Sequence, residues 1–310
     1  MNKFLIKAFV FISISIVVML LCLSILNPRW VEGRKKIFLA DNNIKNYDLL
    51  VMGSSRAEHV INVALFDTAK YKVFNIAEDG HGLVSNYLML KVLLEKYHLT
   101  TKRVLLQVDE SAFNGSVGFK SKFRDDFFIS DIRDAEVFAA FRKYKGFSLA
   151  YVLHTFPFLG NLIYGSFKEL PHLYNLSLRN AARKQYRNIF SGLGSTKGYE
   201  ALAPMNNIIT ERKEFVIEQD DVQYFEAFVK LCKTHNIELI LYRAPMLDCT
   251  KINSIKFDQY IAAFCATNRV RFIDLKCAYP DSKYYKDQMH IADSAATGIT
   301  NGMIDSLKMR

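Results

Sequence analysis

The run Asp48-Leu49-Leu50-Val51-Met52 stops at Gly53-Ser54-Ser55-Arg56. An apolar run of this length, unbroken by polar alternation and ended by glycine, is the pattern of a strand buried on both faces. Such strands belong to parallel sheets, whose faces are covered by crossover helices. The rest of the chain beyond residue 40 keeps this rhythm. Tyr71 to Ala77 reads as a second strand, ended by Glu78-Asp79-Gly80, and Leu83 to Tyr97 carries Leu83, Tyr87, Leu90 and Leu94 on one helical face. Val104 to Val108 is a third strand, Ile237 to Tyr242 a fourth, stopped before Pro245, and Arg271 to Leu275 a fifth. Helices are expected over Val222 to Thr234, Lys256 to Ala266 and Ala292 to Lys308, the last weakened by Gly298 and Gly302. Five strands joined by right-handed helical crossovers predict an α/β, three-layer, flavodoxin-like domain with a five-stranded parallel sheet. With 310 residues, half of them hydrophobic, the chain has enough material for one such domain and an insertion.

The insertion falls at about 110–219, after strand three, where Phe, Tyr, Lys and Arg are frequent and Pro157, Pro171 and Pro204 punctuate the pattern. It reads as largely helical, serving as a cap, a groove wall or a membrane-facing layer. Its segment Phe156 to Tyr164 is apolar enough for an interfacial contact and equally suits a core helix.

The N-terminus stands apart from the α/β domain. Lys3 and Lys7 precede an uncharged stretch from Ala8 to Leu26, ended by Asn27-Pro28-Arg29. As a helix it is roughly 29 Å long, near the thickness of bilayer hydrocarbon. The bulky Leu21-Cys22-Leu23-Ser24-Ile25-Leu26 offers no small-residue cleavage site, so the expectation is an uncleaved transmembrane anchor over residues 1–29, followed by the α/β body over 30–310. Lys3 and Lys7 favour a cytoplasmic N-terminus, while Arg29, Arg34, Lys35 and Lys36 lie on the other side.

The net charge is +10, which fits a basic surface near anionic lipid headgroups or an affinity for acidic glycans. No nucleic-acid motif accompanies it, and none is expected to bind. Of the five cysteines, Cys22 is in the apolar stretch, and Cys232 and Cys265 sit on apolar helix faces. Cys249 and Cys277 each follow a strand near one sheet edge, so a disulfide is open to them outside the cytoplasm. No C-x-x-C pair or His/Cys cluster suggests a metal, and no cofactor is expected.

In a sheet of this kind, function gathers at the carboxyl ends of the strands. There the chain carries Gly53-Ser54-Ser55-Arg56 after strand one, Gly80-His81 after strand two, Asp109 after strand three, and Asp287-Gln288-Met289-His290 after strand five. Ser, His and Asp are the parts of a hydrolase or acyltransferase triad. Each also has an ordinary reading. Ser54 or Ser55 suits a helix N-cap. Arg56 suits a surface or salt-bridging side chain or an anion contact at the mouth. His81 suits a structural or substrate-contacting histidine, and Asp109 a helix cap or pocket carboxylate. A nucleotide-binding reading is disfavoured, because the first turn lacks the glycine-rich fingerprint and the P-loop pattern.

With these blocks in this order, the chain resembles the SGNH (GDSL-type) hydrolase superfamily, and within it the membrane-anchored branch whose first block reads Gly-Ser-Ser. It is similar in layout to proteins that O-acetylate exopolysaccharides or transfer D-alanine onto teichoic acids. The resemblance covers residues 45–109 and 220–310 and leaves out the insertion. It implies Ser55 as nucleophile, His290 as base and Asp287 as its orienting carboxylate, with the Ser55 and Gly80 N–H groups as oxyanion donors. One departure stands out. Where the family has an Asn as third donor, this chain has Gln107-Val108-Asp109-Glu110, with Asn114 following. A free carboxylate at 109 would repel an oxyanion, and losing one donor costs about 2.7–4 kcal/mol in the transition state.

The expected function is therefore a membrane-anchored serine acyltransferase or esterase acting on an O-acyl group of a cell-envelope polysaccharide, with its globular part outside the cytoplasm. Its partners would be the glycan or another acyl acceptor, the lipid bilayer, and a multi-span acyltransferase supplying the acyl group. The alternative is a non-catalytic binding or assembly protein, in which Asp109 has retired the chemistry.

Overall fold

The computed structural model describes residues 2–25, 35, 45–113, 123–156, 217–247, 249–251, 254–287 and 289–308. The chain divides into two compact units, residues 1–41 with 125–182, and residues 42–124 with 183–310. In chain order, the first helix is α1 (Asn2–Ile25). The second unit then begins with β1 (Asn46–Met52), α2 (Ser55–Val60), α3 (Ala64–Thr68), β2 (Val73–Asn75), α4 (Leu83–Glu95), β3 (Thr100–Gln107) and the single turn α5 (Glu110–Phe113). The first unit supplies α6 (Ala135–Lys145) and α7 (Phe147–Thr155). The second unit closes with α8 (Gln219–Thr234), β4 (Glu238–Arg243), α9 (Ile255–Asn268), β5 (Arg271–Asp274) and α10 (Asp293–Lys308).

The five strands form one parallel sheet in the order β2-β1-β3-β4-β5, the doubly wound flavodoxin-like order. Registers such as Leu50↔Phe74, Leu50↔Val104, Leu105↔Ile240 and Leu241↔Phe272 bring apolar residues side by side across the sheet. Because strand side chains alternate, Leu49, Val51, Leu105, Ile240 and Tyr242 bury on one face with residues of α2 and α10, such as Val60 and Ile299. On the other face Leu50, Met52, Val104, Leu106 and Leu241 are equally buried. There α8 packs on α4 and β4, and rings from α5, α8 and α9 meet: Phe113 lies 5.2 Å from Phe225, and Phe225 lies 4.3 Å from Phe264. Helices on both faces make the three layers.

Strand two is shorter than the expected Tyr71–Ala77. Tyr71 is taken by a turn, its N–H donating to Phe66 O, and the Asn75 side chain accepts from Ala77 N–H and bends the chain out of the ladder. Strand three starts earlier than expected, because its polar residues 100–103 still pair with β1. The Cys249–Cys277 disulfide is formed, with a Cα–Cα distance of 5.5 Å. Beside it, the buried Arg243 ties β4 to β5 and α9, pairing with Asp274 (2.9 Å from Nε) and Asp258 (2.7 Å). Partial burial works against the Asp274 carboxylate, but the hydrogen bonds from Arg243 and the Lys276 N–H, with the charges of both side chains, together outweigh it and lower its pKa.

In the first unit α6 and α7 pack against each other and meet at Gly146, whose φ of +94° suits glycine. Asp134 caps α6 through Glu136 and Val137 N–H, and basic residues fill its last turn, both favourable to the helix dipole. Residues 114–122 and 157–216 of the expected insertion, including Asn114, Pro157, Pro171 and Pro204, lie outside the described residues. Along α1, large apolar side chains such as Phe4, Phe9, Phe11, Ile14 and Val18 are exposed. Among the described residues, no helix is long and apolar enough to cross a membrane. The expected spanning anchor thus gains no support from the fold.

Candidate active site

The turn leaving β1 requires glycine first. Gly53 has a φ of +143°, and a Cβ there would stand 2.7 Å from Gln107 Cβ and 2.8 Å from Ala57 Cβ. Its N–H donates to Asn86 Oδ1 at 3.0 Å, which ties the turn to α4. The next two serines divide the two roles open to them. Ser54 is the N-cap of α2, its hydroxyl accepting from Arg56 N–H. Its own N–H and O–H donate to Gln107 Oε1, at 3.1 and 2.8 Å. Ser55 opens the helix and is 4% exposed. Its Oγ lies 2.8 Å from His290 Nε2.

His290 is held from the other side. Its Nδ1 lies 2.8 Å from Asp287 Oδ2 and 3.0 Å from Oδ1. Asp287 Oδ1 also accepts the backbone N–H groups of Met289 (2.8 Å) and His290 (2.9 Å), so the loop folds around its own carboxylate. An antiparallel bridge between Tyr285 and Ile291 closes the base of this loop. Partial burial works against the charge on Asp287. The two backbone donors and the imidazole outweigh burial and bring its pKa below the ordinary carboxylate value. A carboxylate only accepts, so Nδ1 carries the proton and Nε2 faces the Ser55 hydroxyl with a lone pair.

Gly80 follows β2 with a φ of +73°. The loop before it is pinned at two points, Asp79 N–H donating to Glu58 Oε2 (3.0 Å) and Arg124 Nη1 donating to Asp79 O (2.8 Å). Ser55, Gly80, His81, Asn86, Asp221 and His290 all line one cavity of about 70 Å³ at the carboxyl edge of the sheet. The N–H groups of a first helical turn have no acceptor within their own helix, so the Ser55 amide is suited to an oxyanion.

Arg56 and Asp109 line the same cavity, and of the roles first open to them Arg56 takes the salt bridge and Asp109 the helix cap within the pocket wall. Arg56 is not a surface side chain; it is buried, with Nη1 paired to Asp109 Oδ2 and Nη2 donating to Ala244 O (2.7 Å) and Pro245 O (2.9 Å). Asp109 is buried as well and caps α5 by accepting Ser111 N–H at 2.9 Å. Its charge is met by the guanidinium, so it is no loose anion beside the oxyanion position. His81 is buried in the cavity wall. Gln107, Asn86 and Glu58 were not singled out from sequence. Glu58 and Gln107 lie within three residues of a motif position and Asn86 lies on the helix after Gly80-His81, and only the partner of each across the sheet edge reveals its part.

No family model matches the chain, and no curated protein matches it. Among solved structures it is similar to a candidate acylhydrolase from Bacteroides fragilis, at 12% identity and a TM-score of 0.40, with 86% of this chain and 88% of that one covered. It is also similar to an acetyl xylan esterase from the rumen bacterium Butyrivibrio proteoclasticus (10% identity, TM-score 0.38, 85% and 63% covered). A third is a carbohydrate esterase whose active site is described as displaying divergent catalytic and non-catalytic binding functions (11% identity, TM-score 0.33, 86% and 65% covered). The matches to the two esterases thus span about two thirds of those chains. The chemistry of the site rests on its own geometry.

Proposed function

We propose that the protein is a serine esterase or acyltransferase in which Ser55 is the nucleophile, His290 the general base and Asp287 the carboxylate that orients it. The observation that carries this reading is the unbroken line from Ser55 Oγ to His290 Nε2 (2.8 Å) and from His290 Nδ1 to Asp287 (2.8 Å). In the reaction, Ser55 Oγ attacks the carbonyl carbon of an ester while its proton passes to His290 Nε2. Asp287 stabilises the imidazolium, and the oxyanion is met by the N–H groups of Ser55 and Gly80. The intermediate collapses, the alcohol leaves with the proton from His290, and Ser55 keeps the acyl group. Water then releases it in an esterase; a sugar hydroxyl takes it in a transferase. The small cavity beside Ser55 suits a short acyl group.

The finer part of the proposal is an acceptor in the cell envelope, with the α/β body outside the cytoplasm, α1 in the bilayer, and a multi-span membrane partner supplying the acyl group. It is supported by the apolar exposed side chains of α1, by the Cys249–Cys277 disulfide, which favours an oxidising compartment, and by the resemblance drawn from the motifs. The non-catalytic alternative rested on Asp109 in place of the usual Asn; the pairing of Asp109 with Arg56 weighs against charge repulsion as its basis and leaves the missing donor as its remaining ground.

The test is to treat the full-length chain, in detergent, with a fluorophosphonate and to map adducts by peptide mass spectrometry. A single adduct on Ser55, lost in His290→Ala, is expected. A folded chain that takes no label at Ser55 refutes the proposal.

A further inference from the structure

We infer that Asp109 is a positioning residue for the nucleophile turn, holding both chain neighbours of Ser55 so that its hydroxyl meets His290. The inference rests on the serine-hydrolase reading above and replaces a missing oxyanion donor with a different role for position 109.

Asp109 is 1% exposed, and its two oxygens are filled. Oδ1 accepts from the N–H and hydroxyl of Ser111. Oδ2 accepts from Arg56 Nη1 and from Gln107 Nε2, the latter at 2.6 Å. A carboxylate has no proton to give, so the Gln107 amide has one orientation available: Nε2 toward Asp109 and Oε1 away from it. Oε1 then receives the Ser54 N–H and O–H, at 3.1 and 2.8 Å. The carboxylate thus reaches Ser54 through Gln107 and Arg56 directly. Only Ser55 lies between them in sequence, and its side chain is left to His290.

An asparagine at 109 would undo this arrangement. Its NH2 can face the Gln107 oxygen, which turns the Gln107 NH2 toward Ser54 N–H, donor against donor. It also leaves Arg56 buried at 2% exposure without a counter-charge, although Nη2 still bonds Ala244 O and Pro245 O at the end of β4. The substitution that brings the chain closer to the family pattern therefore lowers activity. Displacing a reacting group by about 1 Å costs on the order of 100-fold.

The experiment compares the wild-type full-length chain with Asp109→Asn and Gln107→Met. It measures hydrolysis of p-nitrophenyl acetate, the fluorophosphonate labelling rate at Ser55 and the melting temperature, with kinetics taken well below each variant's melting point. For Asp109→Asn the expected result is a kcat and a labelling rate lower by roughly 100-fold, with KM changed less than about threefold. Gln107→Met keeps the Arg56–Asp109 pair and loses the Gln107 bonds to Ser54 and to Asp109. It should fold even if Asp109→Asn does not, and should label roughly tenfold more slowly. Wild-type or higher rates in Asp109→Asn overturn the inference, as do losses that merely track the unfolded fraction. If Asp109→Asn does not fold, wild-type labelling in Gln107→Met overturns it. A wild-type chain with no label on Ser55 instead overturns the hydrolase reading, and the inference falls with it.

Discussion

Ser55 Oγ and His290 Nε2 lie 2.8 Å apart across 235 positions of sequence. The link is made by α10, which packs on α2 and accepts the Asn62 N–H on Thr300 Oγ1 at 3.0 Å. The loop that opens α10 is thereby brought over the start of α2. Ser55→Ala removes one oxygen and none of the packing, so it should abolish turnover of p-nitrophenyl acetate, a fall of about 10⁴-fold or more in kcat, with the melting temperature held within a few degrees. Activity retained in that variant would falsify the assigned nucleophile.

Asp287→Asn should keep the loop's shape but weaken control of the His290 tautomer. A fall in kcat on the order of 10⁴-fold is expected. Steady-state kinetics at neutral pH decide it, and a loss below tenfold would count against an orienting role.

Acid should weaken the fold through Asp287 and Asp274, whose pKa values are both lowered in the folded protein. A depressed carboxylate binds fewer protons folded than unfolded, so its stabilisation is complete above the unfolded value of about 3.9 and is lost as pH falls through the folded one. The difference in melting temperature between wild type and Asp287→Asn should be steady from pH 7 to 5 and shrink below about pH 4. A difference independent of pH across that range would contradict it.

Gly53→Ala should be severe for one residue of change. The added methyl meets Gln107 and Ala57 at under 3 Å, on a backbone that disfavours any side chain. A cost of roughly 2–4 kcal/mol is expected in urea unfolding. A shift under about 0.5 kcal/mol would show that the turn adjusts freely.

Reduction should act on the Cys249–Cys277 bridge alone. Burial pushes the Cys232 thiol up to about 12 and the Cys265 thiol up to about 11, so both resist alkylation near neutral pH. Opening the bridge removes about 3–4 kcal/mol on the loop-entropy estimate, or roughly 6–12 °C of melting temperature. Peptide mass spectrometry after native reduction and alkylation should find label on Cys249 and Cys277 before the buried Cys232 or the half-buried Cys265.

Much of the architecture was legible because it rests on short-range pattern. Asp48 to Met52, Ile237 to Tyr242 and Arg271 to Leu275 announce strands by composition and by the residues that stop them. Three elements were less legible. Strand two was cut at both ends by turns made with its own neighbours, strand three was lengthened by pairing with β1, and α1 carries an apolar sequence whose surroundings no local pattern describes.

At the site, sequence alone marked the residues proposed to carry chemistry: a serine behind a strand-ending glycine, and an Asp-x-x-His whose spacing lets one carboxylate bind its own loop and the imidazole together. Only the tertiary structure decided that Ser54 caps while Ser55 faces His290, that Arg56 is buried, and that Asp109 is paired rather than loose. The reason is range. Arg56 meets Asp109 53 residues away and the carbonyl of Ala244 188 residues away, because β1, β3 and β4 lie side by side and end at one edge. Such neighbours are set by strand order, and no periodicity along the chain encodes them.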